Sequence, residues 1–315
     1  MRPLADARGL TLVVNPRAAG GRGARVGARA AEGLRRRGLA VDVRETSEPR
    51  VASDLALAAA GAGAATVVAV GGDGTVHEVA EGLVSSGERA EDRPVLGVVT
   101  AGTGNDFAKL VGVGRGLDRA LDVIAAGATR VWDVGLARWE GGEEVFVNAV
   151  GTGIDVEVVR QLSRLPRLPG LVSYVVALLR ALRRYRAVGL DLHIDGERAS
   201  RDVMMIAVAN GRCIGGGFHV CPAARPDDGW LDTCVVDEVG LVGIGRIMPR
   251  ILRGRHGGHP AVTIGRARAV RIVARGPEDL FFQLDGELRE PRGARELEVH
   301  VVPGALRVLV SEEAA

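Results

Sequence analysis

The first third of the chain alternates short apolar runs with longer amphipathic segments. The runs begin at Leu10, Val41, Val67 and Val95, and each leads into a polar turn followed by helical periodicity. This alternation predicts four βα units and therefore a parallel, doubly wound sheet. In such sheets the turns at the carboxyl ends of the strands form the ligand-binding edge.

From about Val131 the pattern becomes that of antiparallel strands. The runs include Glu144–Val150, and an Asp195-Gly196 pair separates Leu190–Ile194 from Val203–Ala209. Asp-Gly between alternating runs is the strongest short-range hairpin signal. We therefore predict an α/β domain over residues 1–130 and a mostly antiparallel domain over residues 131–315, whose last strand is free to return to the first domain.

One helical insertion interrupts the second domain, from about Val158 to Arg186. Its apolar face is predicted to contain Leu171, Val175, Leu178 and Leu182, and its opposite face to contain Ser173, Arg180 and Arg184. The arginines would suit anionic lipid headgroups. We prefer the alternative of an amphipathic helix packed on its own domain with a solvated arginine face.

Composition excludes several classes of protein. The net charge of +2 argues against a nucleic-acid coat protein, so no nucleic-acid partner is expected. Lys109 is the only lysine, which excludes a Gly-x-x-x-x-Gly-Lys phosphate loop and a protein-kinase catalytic lysine strand. Three cysteines leave an odd thiol and favour a reducing compartment. With no signal peptide and no adequate membrane span, a cytoplasmic protein able to touch the inner membrane face is expected.

The candidate chemistry centres on Gly71-Gly72-Asp73-Gly74-Thr75, where a buried strand meets a helix start. Glycines let backbone amides approach a ligand, and a helix N-terminus favours phosphate. A carboxylate inside such a turn indicates phosphoryl transfer, with Asp73 near the metal or the acceptor. Two further turns, Asn15-Pro16-Arg17-Ala18-Ala19 and Gly102-Thr103-Gly104-Asn105-Asp106, lie at the same predicted edge. Any one alone could be an ordinary βα loop.

These motifs resemble the diacylglycerol kinase catalytic-domain superfamily, specifically its single-chain bacterial lipid kinases, with sphingosine kinases as cousins. The resemblance extends from about residue 10 to 310 and includes later motifs: Gly151-Thr152-Gly153-Ile154-Asp155, Asn210-Gly211, Gly215-Gly216-Gly217, Asp227-Asp228-Gly229 and Asp285-Gly286-Glu287. It implies a first domain like those of NAD kinase and phosphofructokinase and a second domain that is a β-sandwich.

The resemblance also implies that ATP binds the first domain. Asp73 would lie beside the γ-phosphate and Mg²⁺, in an acidic network with Asp106 and Asp155. His77 stands where many relatives have Asn. The implied nucleotide contacts are Asn15, Pro16, Arg17, Ala18, Ala19, Thr46, Gly71, Gly72, Asp73, Gly74, Thr75, Val76, His77, Glu78, Gly102, Thr103, Asn105, Asp106 and Asp155.

Two further roles follow from the resemblance. A structural Mg²⁺ would bind the side chain of Asp228 and the carbonyls of Arg225 and Trp230, although an Asp-Asp-Gly turn is also a common metal-free hairpin corner. The base that activates the lipid hydroxyl would be Asp285 or Glu287, and we favour Glu287 for its longer stem.

We therefore expect an ATP-dependent and Mg²⁺-dependent kinase acting on a diacylglycerol-like lipid at a membrane surface. Whether it is a homodimer is left open. The alternatives are an NAD kinase or phosphofructokinase-like enzyme, which shares the Gly-Gly-Asp-Gly motif, and a non-catalytic lipid-binding protein with the same fold.

Overall fold

A computed structural model describes residues 9–102, 104–114, 116–165, 170–183 and 185–313. The chain divides into two compact units. Unit 1 comprises Met1–Asp133 and Gly304–Ala315, and unit 2 comprises Val134–Pro303. The functional domains predicted with a boundary at residue 131 stay a prediction, but each unit can be described by itself.

Unit 1 is an α/β unit built on parallel strands in the order β2-β1-β3-β4. Its strands are β1 (Leu10–Val14), β2 (Val41–Glu45), β3 (Thr66–Gly71) and β4 (Val95–Thr100). Its helices are α1 (Ala18–Gly21), α2 (Gly23–Arg36), α3 (Val51–Gly61), α4 (Asp73–Val84), α5 (Asp106–Leu110) and α6 (Leu117–Ala126). The prediction of a parallel α/β domain is confirmed.

The burial of the strands explains why their sequences are continuous apolar runs. Every residue of β1 and β3 is buried, as expected for parallel strands covered by helices on both faces. Strand β2 lies at the edge of this sheet, and its residues are exposed or half-buried. The more polar sequence of β2 follows from that position.

The end of the chain completes unit 1. Strand β15 (Glu296–Leu309) begins in unit 2 and ends in unit 1, where Val308 pairs with Leu96 of β4 in parallel. The amide of Gly304 donates to the Asp133 carboxylate at 2.7 Å, and the Arg307 guanidinium donates to the Arg93 carbonyl at 2.9 Å. The end of the last strand therefore joins the parallel sheet, while its beginning pairs antiparallel with β12 of unit 2.

Unit 2 is a mostly antiparallel sandwich. Besides the ends of β5 (Thr129–Trp139) and β15, its strands are β6 (Gly142–Phe146), β7 (Ala149–Gly153), β8 (Val188–Ile194), β9 (Glu197–Ala209), β10 (Leu231–Asp237), β11 (Val262–Ala267), β12 (Ala269–Ala274), β13 (Phe282–Leu284) and β14 (Glu287–Arg289). Its helices are α7 (Ile154–Arg164), α8 (Gly170–Leu182) and α9 (Leu241–Ile251). The predicted sandwich with a helical insertion is confirmed.

The predicted hairpin at Asp195-Gly196 joins β8 to β9. Both turn residues have positive φ, 45° and 92°, as a two-residue turn of this kind requires. The Asp195 carboxylate also accepts hydrogen bonds from the amides of Arg268 and Ala269, at 3.0 and 2.9 Å. The turn aspartate therefore anchors its hairpin to a neighbouring strand.

The helical insertion consists of two helices rather than one. Helix α7 starts four residues before the predicted Val158, and α8 begins at Gly170. Pro166 and Pro169 stand in the intervening sequence, and proline disfavours an uninterrupted helix. On α8, Leu178 is buried and Val175 half-buried, as predicted. The side chain of Leu171 and the whole of Arg184 lie outside the described part of the chain. No helix among the described residues is long and apolar enough to cross a membrane.

A buried histidine gives unit 2 a testable pH dependence. His256 is fully buried, and its Nε2 lies 2.9 Å from the Val220 carbonyl oxygen. Burial lowers the pKa of His256, and the Val220 hydrogen bond opposes that effect. The unfolded chain therefore binds more protons than the folded chain as the pH falls below the ordinary histidine value of about 6.5.

We expect the free energy of unfolding to fall from pH 7.5 to pH 5.5, and to fall less steeply in His256→Gln. Urea unfolding at several pH values measures both slopes. His300→Gln, at a half-exposed histidine, is the control. Equal slopes in wild type and His256→Gln would show that His256 is not the source of the pH dependence of stability.

Candidate active site

The polar turns of unit 1 lie side by side at the carboxyl edge of its sheet. The amide of Thr46 donates to Val14, that of Asn15 to Val70 and that of Ala101 to Gly71, at 2.7–2.9 Å. These hydrogen bonds continue the strand pairing beyond the strand ends. The three polar turns and Thr46 are therefore brought together, as a phosphate-binding edge requires.

The central turn places a helix N-terminus in this edge. Gly72 is the extended N-cap residue, and α4 begins at Asp73. The facing turn approaches so closely that a Cβ on Gly102 would lie 2.6 Å from the Gly72 Cα. Glycine at position 102 is therefore required by packing between the two turns.

The start of α4 limits which amides of this segment are available to bind phosphate. The amide of Val76 donates to the Gly72 carbonyl at 3.1 Å, and His77 and Glu78 follow inside the helix. Only the first amides of a helix lack an intrahelical acceptor. The amides of Val76, His77 and Glu78 lie within the helix, which contradicts their predicted part in phosphate binding, whereas phosphate binding by the amides of Gly72, Asp73, Gly74 and Thr75 stays a prediction.

The side chain of Glu78 has a structural role. Its carboxylate accepts hydrogen bonds from the amides of Arg50 and Ala52, both at 3.1 Å. Those amides begin α3, where unpaired donors and the helix dipole favour an anion. His77 is 1% exposed. Both residues therefore belong to the packing behind the turn.

The first loop is also different from the prediction. The amide of Arg17 donates to the Asn15 side chain at 3.0 Å, and that of Ala18 to the Asn15 carbonyl at 3.2 Å. Pro16 has no amide hydrogen, and the Asn15 amide is engaged by Val70. The amides of residues 15–18 are therefore used within the fold, and the exposed Arg17 guanidinium is the loop's available cation.

The third turn connects to Asp73 through a helix start. The amide of Phe107, at the start of α5, donates to the Asp73 carboxylate at 3.3 Å. Asp106 is buried and forms an ion pair with Lys109 at 2.7 Å. The Asn105 side chain donates to the Gly102 carbonyl at 3.0 Å. The structure thus links Asp73 to the third turn; Thr103 lies outside the described residues.

In unit 2, the second Asp-Gly pair forms a hairpin turn between β13 and β14. Asp285 and Gly286 both have positive φ, 50° and 89°. The Asp285 carboxylate accepts three amide hydrogen bonds, from Val147, Asn148 and Ala149, at 2.8–2.9 Å. Asp195 holds its own hairpin in the same way. Asp285 is therefore an anchor of the turn.

This anchor explains an error in the predicted strands. The run Glu144–Val150 was predicted as one strand, but β6 ends at Phe146 and β7 begins at Ala149. The amides of Val147 and Asn148 turn to the Asp285 carboxylate at that break.

Glu287 has a more accessible carboxylate than Asp285. Its side chain is 34% exposed, and its nearest ion-pair partner is Arg289 at 3.4 Å. Arg289 pairs more closely with Glu144, at 2.5 Å. The turn at Gly286 also separates the two carboxylates, because it breaks the extended geometry that would direct them to one face.

Asp155 forms a buried network behind this turn. Its carboxylate accepts hydrogen bonds from Tyr174 at 2.9 Å and from the Gln283 side-chain amide at 2.7 Å. The Gln283 carbonyl oxygen accepts the Gly286 amide at 2.6 Å. Burial raises the pKa of Asp155, and the two hydrogen bonds oppose that effect. Asp155 therefore supports the Asp285-Gly286 turn; its grouping with Asp73 and Asp106 stays a prediction.

This network also accounts for a glycine of the Gly151-Thr152-Gly153 motif. A Cβ at Gly151 would lie 2.4 Å from the Asp155 carboxylate and 3.0 Å from the Gln283 amide. Gln283 and Tyr174 were not predicted as functional residues. A glutamine inside the apolar run Phe281–Leu284 is the sequence signal that could have identified Gln283.

At the predicted structural metal site, an arginine side chain pairs with the aspartate that was predicted to bind the metal. One oxygen of Asp228 accepts the Trp230 amide at 3.2 Å, and the other pairs with Arg266 at 2.7 Å. A divalent ion would have to displace this guanidinium. Among the described residues no group of three or more His, Cys, Asp or Glu side chains is arranged to hold a metal. With both oxygens of Asp228 engaged, the turn as placed does not fit the predicted Mg²⁺ ion, whose other ligands would be the carbonyls of Arg225 and Trp230.

Comparison with known proteins identifies relatives over both units. Residues 9–137 match the diacylglycerol kinase catalytic domain, and residues 148–310 match the YegS C-terminal NAD kinase beta sandwich-like domain. The chain is 29% identical to lipid kinase YegS of Escherichia coli K12 over 87% of each chain. It is 28% identical to "Probable lipid kinase YegS-like" of Yersinia enterocolitica, over 94% of this chain and 95% of that protein.

A solved structure has the same fold. The crystal structure of a diacylglycerol kinase from Bacillus anthracis str. Sterne superposes with a TM-score of 0.72 at 20% identity, over 98% of this chain and 99% of that chain.

Proposed function

Because the chain belongs to the family of lipid kinases with a diacylglycerol kinase catalytic domain and a YegS-type C-terminal domain, we propose that it transfers the γ-phosphate of ATP to the hydroxyl of a diacylglycerol-like lipid. The observation that carries this proposal is the position of Asp73. Its carboxylate lies at the start of a helix, at an edge where two other polar turns meet.

In the proposed reaction unit 1 holds the nucleotide. The amides of Gly72 to Thr75 bind phosphate oxygens, helped by the dipole of α4. The Arg17 guanidinium adds a positive charge. Asp73 suits a Mg²⁺ site, since this ion needs only one or two carboxylates beside phosphate oxygens and water. Bound Mg²⁺ would neutralise charge that develops on the transferred phosphoryl group.

Glu287 is proposed as the base that accepts the proton of the lipid hydroxyl. The hydroxyl oxygen forms its bond to the γ-phosphorus as the bond between that phosphorus and ADP breaks. Asp285 and Asp155 are positioning residues in this scheme, because both act on the turn that carries Glu287. The accessible Glu287 carboxylate supports this division of roles.

Labelled ATP incubated with the protein and a total lipid extract tests the proposal. Diacylglycerol, sphingosine and NAD are supplied in parallel as pure acceptors. We expect label in the extract and in phosphatidic acid, with none in NADP. Labelled NADP would support the small-molecule kinase alternative, and no transfer to any acceptor would support a non-catalytic protein. A cytoplasmic location remains a prediction, and the oligomeric state remains open.

A further inference from the structure

We propose that helices α8 and α9 together form a surface that docks on an anionic lipid bilayer. This α8–α9 surface is defined by Val172, Leu179, Arg180 and Arg183 on α8, and by Val242, Arg246, Arg250, Leu252 and Arg253 on or just after α9. The inference deepens the proposed function, because a lipid kinase must reach an acceptor that resides in a membrane. It rests on accessibility and charge within unit 2.

Helix α8 exposes a mixed apolar and basic face. Val172 is 50% exposed and Leu179 59% exposed, and Arg180 and Arg183 are exposed beside them. With the half-buried Val176, these positions follow the spacing i, i+4, i+7, i+8 and i+11, which places them on one side of a helix. Ala177, Leu178 and Ala181 form the buried side. Helix α8 therefore presents apolar surface next to two arginines on the side opposite its packed side.

Helix α9 repeats the same arrangement. Val242 is 70% exposed, and Arg246, Arg250 and Arg253 follow it at i+4, i+8 and i+11. Leu252, immediately after the helix, is 36% exposed. Ile247 and Ile251 are buried on the other side. Among the described residues of unit 2, the exposed large apolar side chains are these four, Val172, Leu179, Val242 and Leu252.

The two helices pack on shared residues. Met248 of α9 packs against the cluster formed by α7 and α8. Tyr174 and Val175 of α8 pack against the cluster that contains Ile247 and Ile251. The buried sides of α8 and α9 therefore meet in a common core, which makes the two helices neighbours within unit 2.

Charge identifies the partner as an anionic surface. Residues 170–183 and 241–255 contain no Asp or Glu. Within the part of the chain that the structure describes, none of the arginines at 180, 183, 246, 250, 253 and 255 forms an ion pair. By contrast, arginines such as Arg160 and Arg275 of the same unit are paired with carboxylates. Unpaired arginines around exposed apolar side chains are typical of helices that lie in the headgroup region of a bilayer.

The α8–α9 surface is also connected to the candidate base turn. Tyr174 of α8 donates to Asp155, which binds Gln283, whose side chain holds the Gly286 amide. Hydrogen bonds through Asp155 and Gln283 would therefore connect a bilayer-bound α8 to the turn that carries Glu287.

Vesicle sedimentation tests the proposal directly. Wild-type protein is mixed with vesicles of equal phosphatidylglycerol and phosphatidylcholine, and with pure phosphatidylcholine vesicles. We expect binding to the first kind, at least about tenfold weaker binding to the second, and loss of binding as salt is raised. The quadruple variant R180A/R183A/R246A/R250A should bind about six-hundredfold more weakly, since each of the four basic residues contributes about fivefold.

The matched control removes four exposed arginines elsewhere, R29A/R36A/R198A/R292A, and should bind like wild type. A second variant, L179D/V242D, tests the apolar contribution and should also bind weakly. Circular dichroism and thermal unfolding verify that each variant is folded. Equal binding of wild type and both surface variants would overturn the proposal, as would a dimer in sedimentation velocity that only the surface variants dissociate.

A dispersed short-chain diacylglycerol separates this inference from the proposed function. Surface variants that phosphorylate the dispersed lipid normally, but fail on vesicles, support both. If the wild-type protein binds vesicles but phosphorylates neither form of the lipid, the docking surface is supported and kinase activity on this lipid is rejected. Normal phosphorylation of both forms by the quadruple variant rejects the docking surface alone.

Discussion

Asp73→Asn is expected to reduce phosphate transfer by about a thousandfold or more while leaving the fold intact. The carboxylate lies at the first residue of α4, among turns proposed to bind phosphate. Removing a metal-linked charge costs several kcal/mol of transition-state stabilisation. The measurement is turnover with ATP and diacylglycerol, together with the thermal unfolding temperature.

The control for this variant is Asp118→Asn. Asp118 is also an acidic residue in the first turn of a helix, α6, and it is exposed. Its loss should leave turnover unchanged, which separates a general helix-dipole effect from the role of Asp73. Near-normal turnover in Asp73→Asn would remove this residue from the mechanism.

The second large effect is expected from Glu287→Gln. This variant should retain ATP affinity and lose most lipid phosphorylation, because a base acts only as the hydroxyl is deprotonated. ATP titration and turnover on diacylglycerol measure the two quantities. Glu290→Gln, at an exposed carboxylate paired with Arg160 at 2.7 Å, is the matched control.

Asp285→Asn is expected to impair activity for a different reason. An amide would present its own N–H group to backbone donors that the carboxylate accepts, so the free energy of unfolding should fall by roughly 2 kcal/mol or more. Urea unfolding measures this loss. A stable but inactive Asp285→Asn beside an active Glu287→Gln would reverse the two roles. Full activity in both variants would place the base elsewhere.

The fold was predictable where one local pattern determined the structure. Buried runs such as Val67–Val70 are apolar because helices cover both faces of a parallel sheet, and this alone indicated the α/β unit. The Asp195-Gly196 turn was predictable because its backbone conformation selects those residue types. The family resemblance, carried by the glycine and aspartate motifs, is confirmed by the matches to both domains.

The roles of individual carboxylates were less predictable because they depend on distant contacts. Glu78 lies in a phosphate motif, but its carboxylate is used by amides at residues 50 and 52. Asp285 is held by amides more than 130 positions earlier in the chain. A sequence pattern reports which residue types are present, and it does not report which backbone donors the fold brings to them.

The course of strand β15 has a practical consequence for dissecting the protein. Leu306, Val308, Leu309 and Val310 are buried in unit 1, although they follow the whole of unit 2 in the gene. An expressed fragment ending at residue 133 would keep the pairing of Leu96 with Val67 but lose its pairing with Val308, and it would expose apolar surface. A stable fragment of unit 1 should instead fuse residues 304–313 to residue 133 through a short linker. Purification tags are better placed at the N-terminus, since the final strand must insert into the sheet.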